Sequence, residues 1–301
     1  MNVNQNDVKS ILAPGLNTLF MKHYKEYTEK EIYRQVATVI DSKSDSEDYS
    51  WLTNCPGMRE FVAEREIKAL SENTYSIKNK TWEATLGIER TVLEDDKYGQ
   101  IKLRVNDLAH QVVKHKNKLV FETLVNGVTN LCIDGKPFFS SSHKYTGKSS
   151  FSGTQSNLGS LTLTADNLKA TITSMGKIKD TNGNPSYIKP DTIVVPPDLE
   201  WTARELVNSP HLDTSNSVNG LQGALKVVVS PYITDEDSWY LLDCRGVLKP
   251  VILQERTKVE LTTLGKDSEE GFMRDLYLFG VRARYNAGYS FWQMAYANIP
   301  E

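Results

Sequence analysis

Between Tyr98 and Asn126 the sequence holds one helical stripe for about eight turns. Ile101, Val105, Leu108, Val112 and Leu119 follow near-heptad spacing, with His115 in the same row. Ala109, Val120 and Leu124 widen the stripe, and Gly127 supplies a stop. At about 1.5 Å per residue this predicts a rod of about 40 Å. Such a rod outreaches the core of an ordinary small domain and acts as a spine along which the rest of the chain is arranged.

The segment before it, "YSIKNKTWEATLGIERTVLEDD", alternates with period two. Trp82, Ala84, Leu86 and Ile88 face one way, and Glu83, Thr85, Gly87 and Glu89 the other. Tyr75 and Ile77 carry the alternation upstream, and Asn79-Lys80 reads as a hairpin tip. A two-stranded ribbon of this length is not stable alone, so its apolar face needs a partner. Pro56-Gly57 marks a turn feeding a short helix. The first 50 residues read as an arm. Leu16, Leu19, Phe20 and Tyr24 give only a narrow stripe, and "DSKSDSEDYS" is too polar to fold by itself.

After the rod the pattern is α+β, with helices and strands interspersed and no regular βαβ repeat. A helix is expected over Asp166–Met175 behind Thr164, and another in "DLEWTARELVNS" capped by Asp198. Strands are expected in "DTIVVPP", "ALKVVVSPYI", "SWYLLDC", "VLKPVILQE", "KVELTTL" and "DLYLFGVRARYNAGY". "KYTGKSSFSGTQSNLGS" reads as a loop.

Chemistry is sparse. A net charge of -3 lacks the basic excess of a nucleic-acid reader. Cys55, Cys132 and Cys244 are too dispersed for a disulfide framework or a metal knuckle, which fits a reducing compartment. The opening "MNVNQNDVKSILAPG" does not read as a signal peptide, and no apolar run is long enough for a membrane span. In "LCIDGKPFFSSSHK", Cys132 and His143 could meet as a thiol–imidazole pair. Leu131 and Ile133 instead mark Cys132 as a buried, inert thiol in a strand, with a turn at Asp134-Gly135 and an aromatic anchor beyond. "TGKSS" has Ser142 where a phosphate loop needs glycine, and "DTNGNP" has its glycine at the wrong place for a calcium loop. The expectation is no catalytic, cofactor or metal site.

Taken in order, several segments do carry a signature. "YSWLTNCPGMREFVAERE" is followed by "YSIKNKTWEATLGIERTVLEDDKYG", the long helix, and "CIDGKPFFSSSH". This order resembles the major head subunit family of Mu-like phages and prophages, over about residues 45 to 300. There a W-L-x-x-x-P-x-x-R-E segment precedes Y-x-I-x-N-K-x-(F/W)-E, and D-G-x-x-F-F…H follows the helix. The chain keeps Trp51, Leu52, Pro56, Arg59 and Glu60, then Tyr75, Ile77, Asn79, Lys80, Trp82 and Glu83. It also keeps Asp134, Gly135, Phe138, Phe139 and His143, but has serines where the family commonly has an acidic residue before the histidine.

The resemblance implies a Hong Kong 97-type capsid fold. Residues 1–50 would be an N-terminal arm, 51–97 the E-loop region, and 98–132 with 246–301 a peripheral domain whose spine helix is 98–127. Residues 133–245 would be an axial domain. Tyr75, Ile77, Trp82, Ala84, Leu86 and Ile88 would then be covered by the adjacent subunit. The implied partners are further copies in hexamers and pentamers, a scaffolding protein, a portal, and packaged double-stranded DNA bound without sequence specificity. The implied setting is a virion assembled in a bacterial host cytoplasm. Two alternatives stand beside this one: an encapsulin-like compartment, and a cysteine hydrolase using Cys132 and His143.

Overall fold

The computed structural model describes residues 5–49, 75–94, 98–145, 149, 151–211, 218–265 and 268–300. Among them the helices are α1 (Gln5–Lys30), α2 (Tyr33–Val36), α3 (Arg90–Glu94), α4 (Tyr98–Val125), α5 (Ala165–Gly176), α6 (Glu200–Asn208) and α7 (Glu269–Arg274). The strands are β1 (Ala37–Asp41), β2 (Ser46–Asp48), β3 (Ser76–Lys78), β4 (Lys80–Glu89), β5 (Leu158–Gly159), β6 (Thr192–Val195), β7 (Lys226–Val229), β8 (Trp239–Leu242), β9 (Val251–Leu264), β10 (Leu276–Tyr289) and β11 (Ala295–Asn298).

Helix α4 is the expected rod. Ile101, Val105, Leu108, Ala109, Val112, Val120 and Leu124 are all buried in one core, while Leu119 and His115 are half-buried at its edge. A first sheet, in the order β1-β9-β10-β4, packs in the same core. Its edge strand β4 runs antiparallel to β10, with Trp82 opposite Ala283 and Ile88 opposite Tyr277. The two strands expected in "VLKPVILQE" and "KVELTTL" are one, because β9 continues without a break through Arg256 and Thr257.

The described part of residues 1–50, expected as an arm, lies on the chain's own α4 and β9. Leu16 and Phe20 of α1 sit in the α4 core, and Tyr27 stacks on His110 at 4.7 Å. Tyr33 donates its backbone N–H to Asn117 at 3.0 Å, and β1 pairs in parallel with β9. A narrow stripe suffices here because the partner is the chain's own α4. The polar segment around β2 is organised by Glu47. Backbone N–H groups of Lys43 and Ser44 and the Ser42 hydroxyl donate to its carboxylate, which holds the carboxyl down at about 2.

The hairpin tip at Asn79-Lys80 is also corrected. Strand β3 pairs with β2, β4 pairs with β10, and the chain passes straight through Asn79 as it changes partner. Asn79 is buried there, donating from Nδ2 to Ser42 Oγ and Ser44 O and from its backbone to Asp45 O. The Pro56-Gly57 turn and Cys55 lie outside the described residues.

A second sheet has the order β5-β11-β8-β6-β7, and α5 and α6 share its core through Leu168, Met175, Ala203 and Val207. Thr164 caps α5 as expected, its hydroxyl accepting from Asn167 N–H. Asp198 does not cap α6. It lies in a 3-10 turn over Pro197–Leu199, and the cap position belongs to Leu199 with no side-chain bond. The segment 246–301 also supplies β11, which pairs with β8. Its last strand returns to the sheet built from residues 158–242.

Gly127 ends α4 in a 3-10 turn for a packing reason. A Cβ there would meet Phe139 at 2.7 Å and Phe138 at 3.2 Å. Gly127→Ala is expected to destabilise the chain by about 1–3 kcal/mol through overpacking, read by urea denaturation. An unchanged midpoint would show that the Phe139 ring moves aside freely.

Candidate assembly surfaces and the loop after the spine helix

The ribbon alternates as expected: Trp82, Ala84 and Leu86 are half-buried, Ile88 is buried, and Thr81, Glu83, Thr85, Gly87 and Glu89 are exposed. Within the chain the apolar face already has a cover. In this chain it is α4 and the first sheet. The Trp82 ring lies 4.3 Å from His115 and 6.0 Å from Tyr285, and its Nε1–H donates to Tyr285 O at 2.9 Å. His115 Nδ1 shares a 2.8 Å hydrogen bond with the Tyr285 hydroxyl, and burial, aided by Lys118, lowers the pKa of its ring. Ile77 is buried against Gly288. The Tyr75 hydroxyl accepts from Tyr289 N–H, and burial pushes it up to about 12. Of the six residues expected in a subunit contact, Tyr75, Ile77 and Ile88 therefore serve the chain's own packing. Trp82 and Ala84 line an open groove of about 340 Å³ with Val112, Tyr232 and Tyr285, and Lys114 and Lys118 stand at its rim.

Among the described residues, the largest exposed apolar side chains lie elsewhere. Helix α7 caps the far end of the β9–β10 hairpin, and it is a built element: Ser268 Oγ accepts from Gly271 N–H, and Asp275 closes the helix in a left-handed conformation. It presents Phe272 at 86% and Met273 at 72% exposure. On the second-sheet half, Trp201 and Val218 are likewise exposed, and Val247 is exposed beside β1, its carbonyl accepting from the Thr38 hydroxyl. Sequence reasoning passed over these residues because "EEGFMR" is too short for a periodicity. The available signal was a Phe-Met pair in a polar turn between two strands.

The loop after α4 brings Cys132 and His143 together, through a third residue. Their ligand-type atoms and those of Asp134 lie within 4.8 Å of one another. The loop is a turn closed by a Leu131–Pro137 bridge, so Cys132 is not in a strand as expected. Its thiol donates to Asp134 Oδ1 at 3.1 Å. His143 Nδ1 lies 2.7 Å from Asp134 Oδ2, and its ring stacks on Trp292 at 4.1 Å. Burial first, then the Asp134 carboxylate, pushes the Cys132 thiol well above its ordinary range. A thiol in that state is no nucleophile, and its proton is turned toward a carboxylate rather than an imidazole base. The cysteine hydrolase alternative loses its chemistry here.

No helix among the described residues is long and apolar enough to cross a membrane. The comparisons with known proteins agree with the two-sheet architecture. The chain matches the Mu-like prophage major head subunit gpT family over residues 10–162, 159–233 and 234–300. It is 28% identical over 291 residues to the Mu-like prophage FluMu major head subunit of Haemophilus influenzae, covering 95% of this chain and 72% of that one. It is 29% identical over 266 residues to the major capsid protein of Escherichia phage Mu, covering 88% of this chain and 65% of that protein. Among solved structures, a chain of the bacteriophage JBD30 procapsid superposes with a TM-score of 0.57 at 30% identity, covering 96% of this chain and 75% of that one. The holo-SrpI encapsulin of Synechococcus elongatus, at a TM-score of 0.51 and 10% identity, shares the fold alone. The fold is the Hong Kong 97-type capsid fold, and the chain belongs to the Mu-like prophage major head subunit gpT family.

Proposed function

We propose that the chain is the building block of an icosahedral phage head, assembling through hexamers and pentamers into a shell that encloses double-stranded DNA. The carrying observation is the family match across nearly the whole chain, joined to a JBD30 procapsid chain that superposes over 96% of it. The fold supports this reading. Among the described residues, exposed apolar side chains stand both at α7 and, well away from it in sequence, at Trp201 and Val218. Unlike patches on one subunit favour head-to-tail contacts, which close into rings. The groove beside Trp82 and Ala84 belongs among the contact surfaces. Residues 51–97 in this reading form the E-loop region, residues 133–245 the axial domain, and 98–132 with most of 246–301 the peripheral domain. A scaffolding protein, a portal and assembly in the host cytoplasm complete the proposal.

Negative-stain microscopy with sedimentation velocity on the purified chain tests it. Closed shells, tubes or capsomer rings are expected. A monomer that persists under crowding and with a scaffold partner would sink the reading. Shells that co-purify with an enzyme rather than DNA would move it to the encapsulin-like alternative.

A further inference from the structure

His143 is completely buried, and both of its ring nitrogens face oxygen. Nε2 lies 3.0 Å from Asn157 Oδ1. The orientation of that amide is fixed by its surroundings. Asn157 Nδ2 faces three carbonyls, Phe138 O, Trp292 O and Ala295 O, at 2.8–3.2 Å. Ser140 N–H donates to Oδ1 at 2.8 Å. A flipped amide would set its oxygen against three carbonyls and its NH₂ against an N–H, so Oδ1 accepts and Nε2 carries a proton.

The other nitrogen, Nδ1, lies 2.7 Å from Asp134 Oδ2. That carboxylate takes the Cys132 thiol and the Lys136 N–H on its other oxygen. A ring neutral at Nδ1 would press a lone pair against a carboxylate oxygen at hydrogen-bond distance. A positive charge has to stand between them. Cysteine, aspartate and histidine are zinc-type donors, but a tetrahedral ion bonded at about 2.0–2.3 Å spreads such atoms to about 3.3–3.5 Å. Separations of 2.7 and 3.1 Å are those of hydrogen bonds, so the charge is a proton.

We propose that the folded chain holds His143 as a doubly protonated ring, donating to Asp134 on one side and Asn157 on the other. This charge is a latch between the two halves of the fold. Asp134 belongs to the loop leaving α4, Asn157 precedes the second-sheet strand β5, and Trp292 begins the 3-10 turn between the first and second sheets. The titratable groups facing the ring are Asp134 and, through its carboxylate, the Cys132 thiol. Trp292 covers the ring face, and Tyr145 stands beyond it, 6.0 Å from Trp292. Burial alone would raise the Asp134 carboxyl. Hydrogen bonds from His143 and Cys132, with the ring's charge, carry it below the usual range instead. The carboxylate's share of the latch is therefore present above the ordinary aspartate range and lost as pH falls through the lowered value.

The sharpest probe is Asp134→Asn. Donors already fill Oδ1, so the amide oxygen takes that place and the NH₂ turns toward Nδ1. Every hydrogen bond then survives with a neutral ring. The experiment is ring-¹⁵N spectroscopy of the full chain labelled at histidine, in solution as the free subunit or in the solid state as shells. Near neutral pH the wild type should show two protonated ring nitrogens for His143, assigned by their loss in His143→Gln or their change in Asp134→Asn. The Asp134→Asn chain should show one protonated and one bare nitrogen. A bare Nδ1 in the wild type would overturn the proposal. So would two protonated nitrogens in Asp134→Asn, or ring protons displaced by one equivalent of zinc.

Discussion

Replacing Lys116 with methionine will destabilise the chain by about 3–5 kcal/mol, lowering the melting temperature by about 6–12 °C. Lys116 is only 2% exposed, in the middle of α4. Its ammonium bonds Glu255 of β9 and the Tyr24 hydroxyl of α1 at 2.6 Å, and it lies over the rings of Tyr24 and Tyr285. Three elements thus share one cation. Burial alone would lower its pKa, but Tyr24, Glu255 and Tyr33 outweigh burial and hold it above the ordinary lysine range. The sign follows: the stabilisation is present throughout neutral pH and is lost only as pH rises through that raised value. Most of the cost of Lys116→Met comes from a carboxylate left without its partner. The double change with Glu255→Met removes the orphan and should recover at least half the loss. Urea denaturation of the single and double variants reads both numbers. A single variant within about 1 kcal/mol of wild type would show that Glu255 finds water when the lysine is gone.

Phe272→Asp combined with Met273→Asp should do the opposite: leave the subunit intact and abolish shells. Both side chains are mostly in solvent at the end of the β9–β10 hairpin, so the free chain loses little on their replacement. An interface that covers them would have to bury two carboxylates, each costing several kcal/mol if unpaired. Repeated over every copy in a closed shell, that penalty is prohibitive. The melting temperature should move by less than about 2 °C while the yield of closed particles falls at least about tenfold. Sedimentation velocity and microscopy on one preparation give both readings. Normal particles from the double variant would remove α7 from the contact surfaces, and a collapsed melting temperature would show that α7 supports the hairpin.

The parts of the fold that sequence reasoning reached share a physical property: their signal is local and repeated. Helix α4 announces itself through a stripe sustained over its length, and Thr164 through a cap directly before an apolar period. The misreadings arise where partner choice decides. Alternation runs through Tyr75 and Ile77 and again, in the opposite phase, from Trp82 to Ile88, but side-chain period is indifferent to which strand supplies the hydrogen bonds. The switch at Asn79 depends on Ser42 and Ser44, more than thirty residues away. Leu16 and Phe20 read as a weak stripe because nothing near them shows that α4 lies opposite. The four residues of β11 carry too little pattern to name a sheet. At the loop after α4, the thiol and the imidazole were visible, but the bridging role of Asp134 was hidden by its equally good fit to a turn.

Pairing across distant sequence also sets an order of events during synthesis. Strand β1 is one of the earliest elements, yet its parallel partner begins at Val251, and the second sheet is interrupted until β11 enters between β5 and β8. Closing such loops is slow, since the entropy of the intervening chain is lost before any contact repays it. A ribosome-bound or truncated chain that stops before Val251 has no seat for β1 and lacks β9, α7, β10 and β11 altogether. Neither sheet is complete until the last strands are made, so β1 stays unpaired through most of synthesis.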